Sequence, residues 1–80
     1  MAYDRSTLGM SQTQFDTCKN LGRNVMAAKR AGSGSPDHDR AYRQWDAACG
    51  MRVMLDLAKK RDLNIKDIPA SPLDWAEMKP

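Results

Sequence analysis

The sequence predicts an all-α fold, an antiparallel two-helix hairpin with a short third helix packed across it. Apolar residues recur at steps of three and four along two long segments, as they do on the buried face of a helix. Between the segments, Gly32-Ser33-Gly34 supplies a tight turn. Ser35-Pro36-Asp37 then gives a capping side chain, a proline suited to the first helical position and a first-turn acid. No alternating run is long enough for a strand.

The first helix is predicted over residues 12–31. Ser11 and Gln14 form a capping box at its start, and Gly32 ends it. Its apolar stripe consists of Phe15, Cys18, Leu21, Gly22, Val25 and Ala28. Residues 1–10 show no period, so we expect them to form an N-terminal arm.

The second helix is predicted over residues 36–61 and carries two apolar lines. The main line consists of Ala41, Trp45, Ala48, Met51, Leu55 and Ala58. The other consists of Cys49, Val53 and Leu57, rotated by about 100° from the first. Because the first helix can cover only one line, we expect the second line to join two copies of the chain as a homodimer. In the monomeric alternative, the tail covers that line.

The tail, residues 64–80, completes a single domain that spans residues 1–80. Ser71-Pro72-Leu73-Asp74 repeats the start signal of the second helix and opens a short helix predicted over residues 72–78. A chain of 80 residues lies near the lower limit for a self-sufficient core, which also favours oligomerisation.

The turn also predicts which residues of the two long helices face each other. With the turn centred between Ser33 and Gly34, Cys18 faces Cys49 and Gly22 faces Trp45. We expect the two cysteines to lie close together but to stay reduced, because the redox poise of the cytoplasm opposes disulfides. A redox-sensitive link between the helices is the alternative.

The chain shows no sign of secretion or of membrane insertion. It opens without the charged and apolar regions of a signal peptide, and no apolar run approaches the ~18 residues that span a bilayer. We therefore expect a cytoplasmic protein without a membrane partner.

No set of residues in the chain predicts catalysis or metal binding. His38 is the only histidine, and Asp37 and Asp39 beside it point in other directions on a helix, so the three cannot chelate one ion. No nucleophile and base converge either, because both cysteines lie far from His38 along the helices. We predict a non-enzymatic protein without cofactor or metal, and we assign His38 to a solvated cap turn.

The charges are mixed, with thirteen basic and ten acidic residues and a net charge of +3. Six basic residues are predicted to form a ridge along the first helix and the turn end of the hairpin, and they are the candidate partner-binding residues. They are Lys19, Arg23, Lys29, Arg30, Arg40 and Arg43. Such a ridge suits an acidic protein surface or nucleic-acid phosphates.

Small size, helical structure and the lack of catalytic residues favour a protein-interaction module, an inhibitor or adaptor that occupies the surface of a partner protein. Accessory proteins of phages or mobile elements that disable a host defence complex, such as anti-CRISPR inhibitors, are of this kind. The alternative is a small basic nucleic-acid-binding or transcription-regulating protein, which rests on the basic ridge. Aromatic residues that could stack on bases are scarce, which counts against that alternative.

Overall fold

The computed structural model describes residues 8–78, and the regular structure in that range is entirely helical. The elements are α1 (Gln12–Gly32), α2 (Pro36–Cys49), α3 (Met51–Arg61), a 3-10 turn (Ile65–Asp67) and α4 (Pro72–Glu77). The two longest helices, α1 and α2, pack against each other, and α4 packs against α1. The predicted all-α class is therefore confirmed for this part of the chain.

Serine caps begin α1, α2 and α4 at the positions that the sequence predicts. In each helix the serine hydroxyl accepts a hydrogen bond from the backbone N–H three residues later, which satisfies a donor that the helix leaves free. The serines are Ser11, Ser35 and Ser71, and their partners Gln14, His38 and Asp74 donate at 3.1, 3.2 and 3.2 Å.

The predicted continuous helix over residues 36–61 is wrong, because Gly50 divides it. The N–H of Gly50 donates to the carbonyl of Asp46 at 2.9 Å and ends α2, and its own carbonyl accepts from Met54 at 3.0 Å and begins α3. Gly50 itself is extended, with φ −69° and ψ −179°. A Cβ atom here would collide with backbone and side-chain oxygens of Asp46, so the break depends on glycine.

Beyond the break, a different side of the helix faces the core. Met51 and Leu55, which the predicted main stripe includes, are 43% and 39% exposed. Met54, which that stripe does not include, is fully buried, and Ala58 is buried as predicted. The stripe prediction assumed one straight helix, and a change of direction at residue 50 shifts the apolar positions that reach the core.

The described end of the predicted arm belongs to the core, contrary to expectation. Leu8 and Met10 are both buried. The Arg61 guanidinium, at the end of α3, donates to the carbonyl of Gly9 at 3.0 Å. A short segment with two apolar side chains has no helical period, so pattern analysis missed it. Residues 1–7 of the predicted arm lie outside the described part of the chain.

The short helix α4 lies so close to α1 that only glycine fits between them. A Cβ atom on Gly22 would stand 2.8 Å from the Trp75 Cβ atom and 2.9 Å from the Pro72 carbonyl oxygen. Trp75 is fully buried and its ring meets Phe15 edge-on, with centroids 5.5 Å apart. The atoms nearest to Gly22 belong to the tail, so the close contact at this glycine is with Trp75 and Pro72, and the predicted pairing of Gly22 with Trp45 stays a prediction.

The two cysteines form a disulfide in the protein interior. Cys18 and Cys49 are joined with their Cα atoms 5.7 Å apart, and both side chains are buried. Their predicted proximity is confirmed, whereas the expectation of reduced thiols is wrong. The bond ties the middle of α1 to the last residue of α2, beside the break at Gly50. Disulfides persist in oxidising compartments and are rare in the cytoplasm, so this bond disfavours the predicted cytoplasmic location. The location itself stays a prediction.

Removal of this disulfide is expected to lower the free energy of unfolding by about 3–4 kcal/mol, because the bond restricts the unfolded chain across a separation of 31 residues. The double variant Cys18→Ser/Cys49→Ser should show this loss in urea denaturation. A reductant should weaken the native chain to the same extent and leave the variant unchanged. Equal midpoints for the native chain with and without reductant would contradict the expectation.

Gly22→Ala is expected to destabilise the fold by about 1–3 kcal/mol, since the new methyl group must push α4 off α1. Gly32→Ala is the matched control at the end of the same helix. Its methyl group would meet only Ser35 Cβ at 3.4 Å and Oγ at 3.6 Å, ordinary contact distances. That variant should be neutral or slightly more stable, because alanine favours the helix over glycine. Thermal denaturation of the two variants should separate them; equal effects would exclude the close approach at Gly22.

Candidate functional site

An open groove of about 360 Å³ lies where α1, α2 and the tail meet, close to the turn that joins α1 to α2. Its lining is mainly apolar, with a few polar groups from three different elements. The lining residues are Val25, Met26, Lys29, His38, Tyr42, Ser71, Pro72 and Leu73. Among the sequence-predicted partner-binding residues, only Lys29 is part of this lining.

Two large side chains on the groove are left partly in water. Tyr42 on α2 is 44% exposed and Leu73 on α4 is 47% exposed, while Val25 and Pro72 between the elements are buried. The Tyr42 ring lies against the buried Trp45 ring, with centroids 5.5 Å apart, so its position is set by the core. Exposed apolar groups gathered around a concave surface are typical of binding sites.

His38 lies in the wall of the groove and is hydrogen-bonded to the turn that precedes α2. The backbone N–H of Gly34 donates to its Nδ1 atom at 3.1 Å, so the turn occupies Nδ1 and Nε2 is the ring nitrogen left to contact a ligand. The sequence assignment of His38 to a solvated cap turn missed this. Its spacing of four from Tyr42, which puts both residues on one helix face, was the available signal.

Local acids balance two of the predicted partner-binding arginines. Arg40 lies 3.5 Å from the Asp37 carboxylate and Arg43 lies 3.0 Å from the Asp39 carboxylate, and all four side chains are largely exposed. Exposed pairs of this kind contribute little to stability, but they reduce the positive potential at the start of α2.

Three members of the predicted ridge remain as exposed cations on α1. Arg23, Lys29 and Arg30 make no ion pair with any residue in the range 8–78. Lys29 lies on the groove and Arg30 follows it in the last turn of the helix. The positive potential near the groove therefore comes mainly from the end of α1.

Lys19, the first residue of the predicted ridge, is not on the surface. Its side chain is only 4% exposed. Burial lowers the pKa of its ammonium group, the neighbouring Arg23 lowers the pKa further, and Asp16 acts in the opposite direction. The exposed ridge therefore begins at Arg23. A lysine at this position looks like any other helical cation in the sequence.

The structure places the three predicted self-association residues in two different environments. Cys49 is buried in the disulfide and cannot touch a second copy, so its place in that set is wrong. Val53 and Leu57 are half-buried on α3 and line a cleft of about 130 Å³ together with Gln14 and Lys60.

Two negative findings concern the described residues. Between residues 8 and 78, no group of three or more histidine, cysteine, aspartate or glutamate side chains is placed to hold a metal ion. Among the helices described, none has the length and apolar character to cross a membrane.

Comparisons with protein-family models, with curated proteins and with solved structures found no match to this chain.

Replacing Lys19 tests whether its burial opposes folding. The pKa of Lys19 in the folded chain lies below its ordinary value of 10.5, so the unfolded chain binds more protons in the interval between the two values. Stability consequently rises with pH across that interval, and below it the folded chain must keep a cation whose hydration is reduced by the burial of its side chain.

Lys19→Met is expected to unfold at higher denaturant concentration than the native chain at neutral pH, with an advantage that shrinks as the pH approaches 10.5. Urea titrations at several pH values measure both effects. Lys59→Met, which removes an exposed cation from the last turn of α3, is the control and should not be stabilised at neutral pH. A Lys19→Met variant that is weaker than native across the whole pH range would contradict the prediction.

Proposed function

We propose that this protein is a non-enzymatic interaction module that binds a partner protein in the groove and acts, as an inhibitor or adaptor, by occupying that partner's surface. The observation that carries the proposal is the exposure of Tyr42 and Leu73, two large side chains that separate elements bring to one concave site. Aromatic and aliphatic groups of this kind form the desolvated centre of protein interfaces.

An antiparallel course of α1 and α2 is part of this proposal. The Ser35 N–H donates to the Gly32 carbonyl at 3.0 Å and closes a tight link between the helices. The disulfide joins residues 18 and 49, which lie 14 residues on either side of that link. Both features support a chain that reverses, with the groove at the turn end of the hairpin and the disulfide farther away.

The chemistry of the groove favours an acidic segment with an apolar side chain as the bound part of the partner. An apolar group would cover Tyr42 and Leu73, and a carboxylate beside it would meet Lys29 and the Nε2 atom of His38. The neighbouring Arg30 adds attraction for acids during approach. Peptides that dock in grooves combine apolar anchors and charged flanks in this way.

The exposed charges give less support to nucleic-acid binding. Lys19 is buried, and Arg40 and Arg43 each pair with an acid on their own helix. The remaining cations adjoin an apolar groove, whereas proteins that grip phosphate backbones concentrate unpaired cations along the contact.

Selection of peptides from a displayed random library by the immobilised chain tests the proposal. We expect enriched peptides that place a large apolar residue beside aspartate or glutamate. Leu73→Glu should weaken their binding by about thirtyfold, because it puts a carboxylate where the apolar anchor docks. Ile65→Glu is the matched control, since Ile65 is 63% exposed and does not line the groove.

Two results would reject the proposal. One is a set of selected peptides that binds Leu73→Glu as tightly as the native chain. The other is micromolar binding to nonspecific duplex DNA that falls steeply with salt, which would favour the nucleic-acid alternative.

A further inference from the structure

A second concave surface lies at the junction of α2 and α3, and it shares no lining residue with the groove. It is a notch of about 360 Å³ lined by Asp46 and Ala47 from α2 and by Arg52 and Val53 from α3. In an unbroken helix, residues six apart lie on different faces, so Asp46 could not share a site with Arg52. The break at Gly50 brings the two pairs together.

The notch carries one charge of each sign, and neither charge is used within the described chain. Asp46 and Arg52 are exposed, and neither makes an ion pair with any residue of the range 8–78. Three acid–base pairs form along the helices, at positions 37/40, 39/43 and 56/60, whereas Arg23, Lys29 and Arg30 are unpaired like Asp46 and Arg52 within residues 8–78. What sets Asp46 and Arg52 apart from those three cations is that they are an acid and a base on one concave surface.

We infer that the notch is the contact of a symmetric homodimer, in which Asp46 of each copy pairs with Arg52 of the other. A two-fold axis through the middle of the notch places the α2 wall of each copy against the α3 wall of the other. Each Asp46 carboxylate then faces the Arg52 guanidinium of the second copy. The charges on this surface are thus complementary to a second copy of the same surface. The Arg52 side chain has room to enter the opposing notch, and Ala47 and Val53 supply apolar contact on both sides.

This contact uses none of the groove residues, so it is independent of the proposed partner binding. Of the predicted self-association residues, the contact includes Val53 but not Cys49, which is buried. Two charged residues, Asp46 and Arg52, take part instead, and their pairing sets the symmetry. The disulfide and the break at Gly50 hold α1, α2 and the start of α3 in the arrangement that shapes the notch.

Charge reversal tests the contact, with mass measured by sedimentation equilibrium of the full chain at micromolar concentration. The native chain is expected to form a dimer. Asp46→Arg places like charges together at both ends of the contact, and so does Arg52→Asp. Each single variant should therefore weaken the dimer by at least about tenfold.

An equimolar mixture of the two single variants should regain the dimer, because each copy then offers the charges that the other needs. The double variant Asp46→Arg/Arg52→Asp should also dimerise with itself. Neither recovery can come from a variant that has merely failed to fold. Asp67→Arg, an exposed acid on the 3-10 turn, is the matched control and should leave the native dimer intact.

Val53→Asp removes the apolar contact and should also produce monomers. A native mass of one chain at every concentration would overturn the inference. So would a dimer whose strength is unchanged by both single reversals, since that dimer would use another surface.

Discussion

The close approach of α4 to α1 at Gly22 is the contact on which the rest of the structure depends. With no side chain on Gly22, the backbone of the tail at Pro72 can lie directly on the helix, and Trp75 is fully buried against Phe15. The same docking leaves Leu73, one residue from Pro72, at the groove. The core and the candidate binding site are therefore two consequences of one helix contact.

Some polar side chains in the interior lack a favourable partner among the described residues. The buried indole Nε1–H groups of Trp45 and Trp75 find no hydrogen-bond partner among residues 8–78, and burial lowers the pKa of Lys19. Unsatisfied buried donors typically cost about 1–3 kcal/mol each. In so short a chain, large aromatic side chains fill the interior, and the gain in apolar burial outweighs the loss of their hydrogen bonds. The disulfide also stabilises the folded chain, because it restricts the unfolded chain.

The two candidate contact surfaces lie toward opposite ends of α2, and each is formed by an interruption of regular helix. The groove adjoins the turn before Pro36, and the notch adjoins the break at Gly50. Tyr42 of the groove and Asp46 of the notch are only four residues apart on α2, so about one helical turn separates the two surfaces along that helix. A dimer through the notch would present two grooves, and a partner with two acidic segments would bind it with an avidity that exceeds either single contact.

By itself the sequence determined the features that depend on near neighbours in the chain. The all-α class, the starts of α1, α2 and α4 at their serine caps, and the proximity of Cys18 and Cys49 follow from bonds and spacings within a few residues or across one short turn. These features are predictable because a serine cap reaches only three residues along the chain, and because helical periodicity is written directly in the order of apolar residues.

Only the tertiary structure decided which surfaces meet. The contact of Gly22 with Trp75 joins residues 53 apart, and the Gly9 carbonyl, between the buried Leu8 and Met10, accepts a hydrogen bond from Arg61, 52 residues away. The break at Gly50 redirected the apolar face of α3, and the groove brought Leu73 of α4 to His38 and Tyr42 of α2. Packing between distant segments selects these contacts by shape and volume, and that information is spread over the whole chain rather than carried by any one stretch of it.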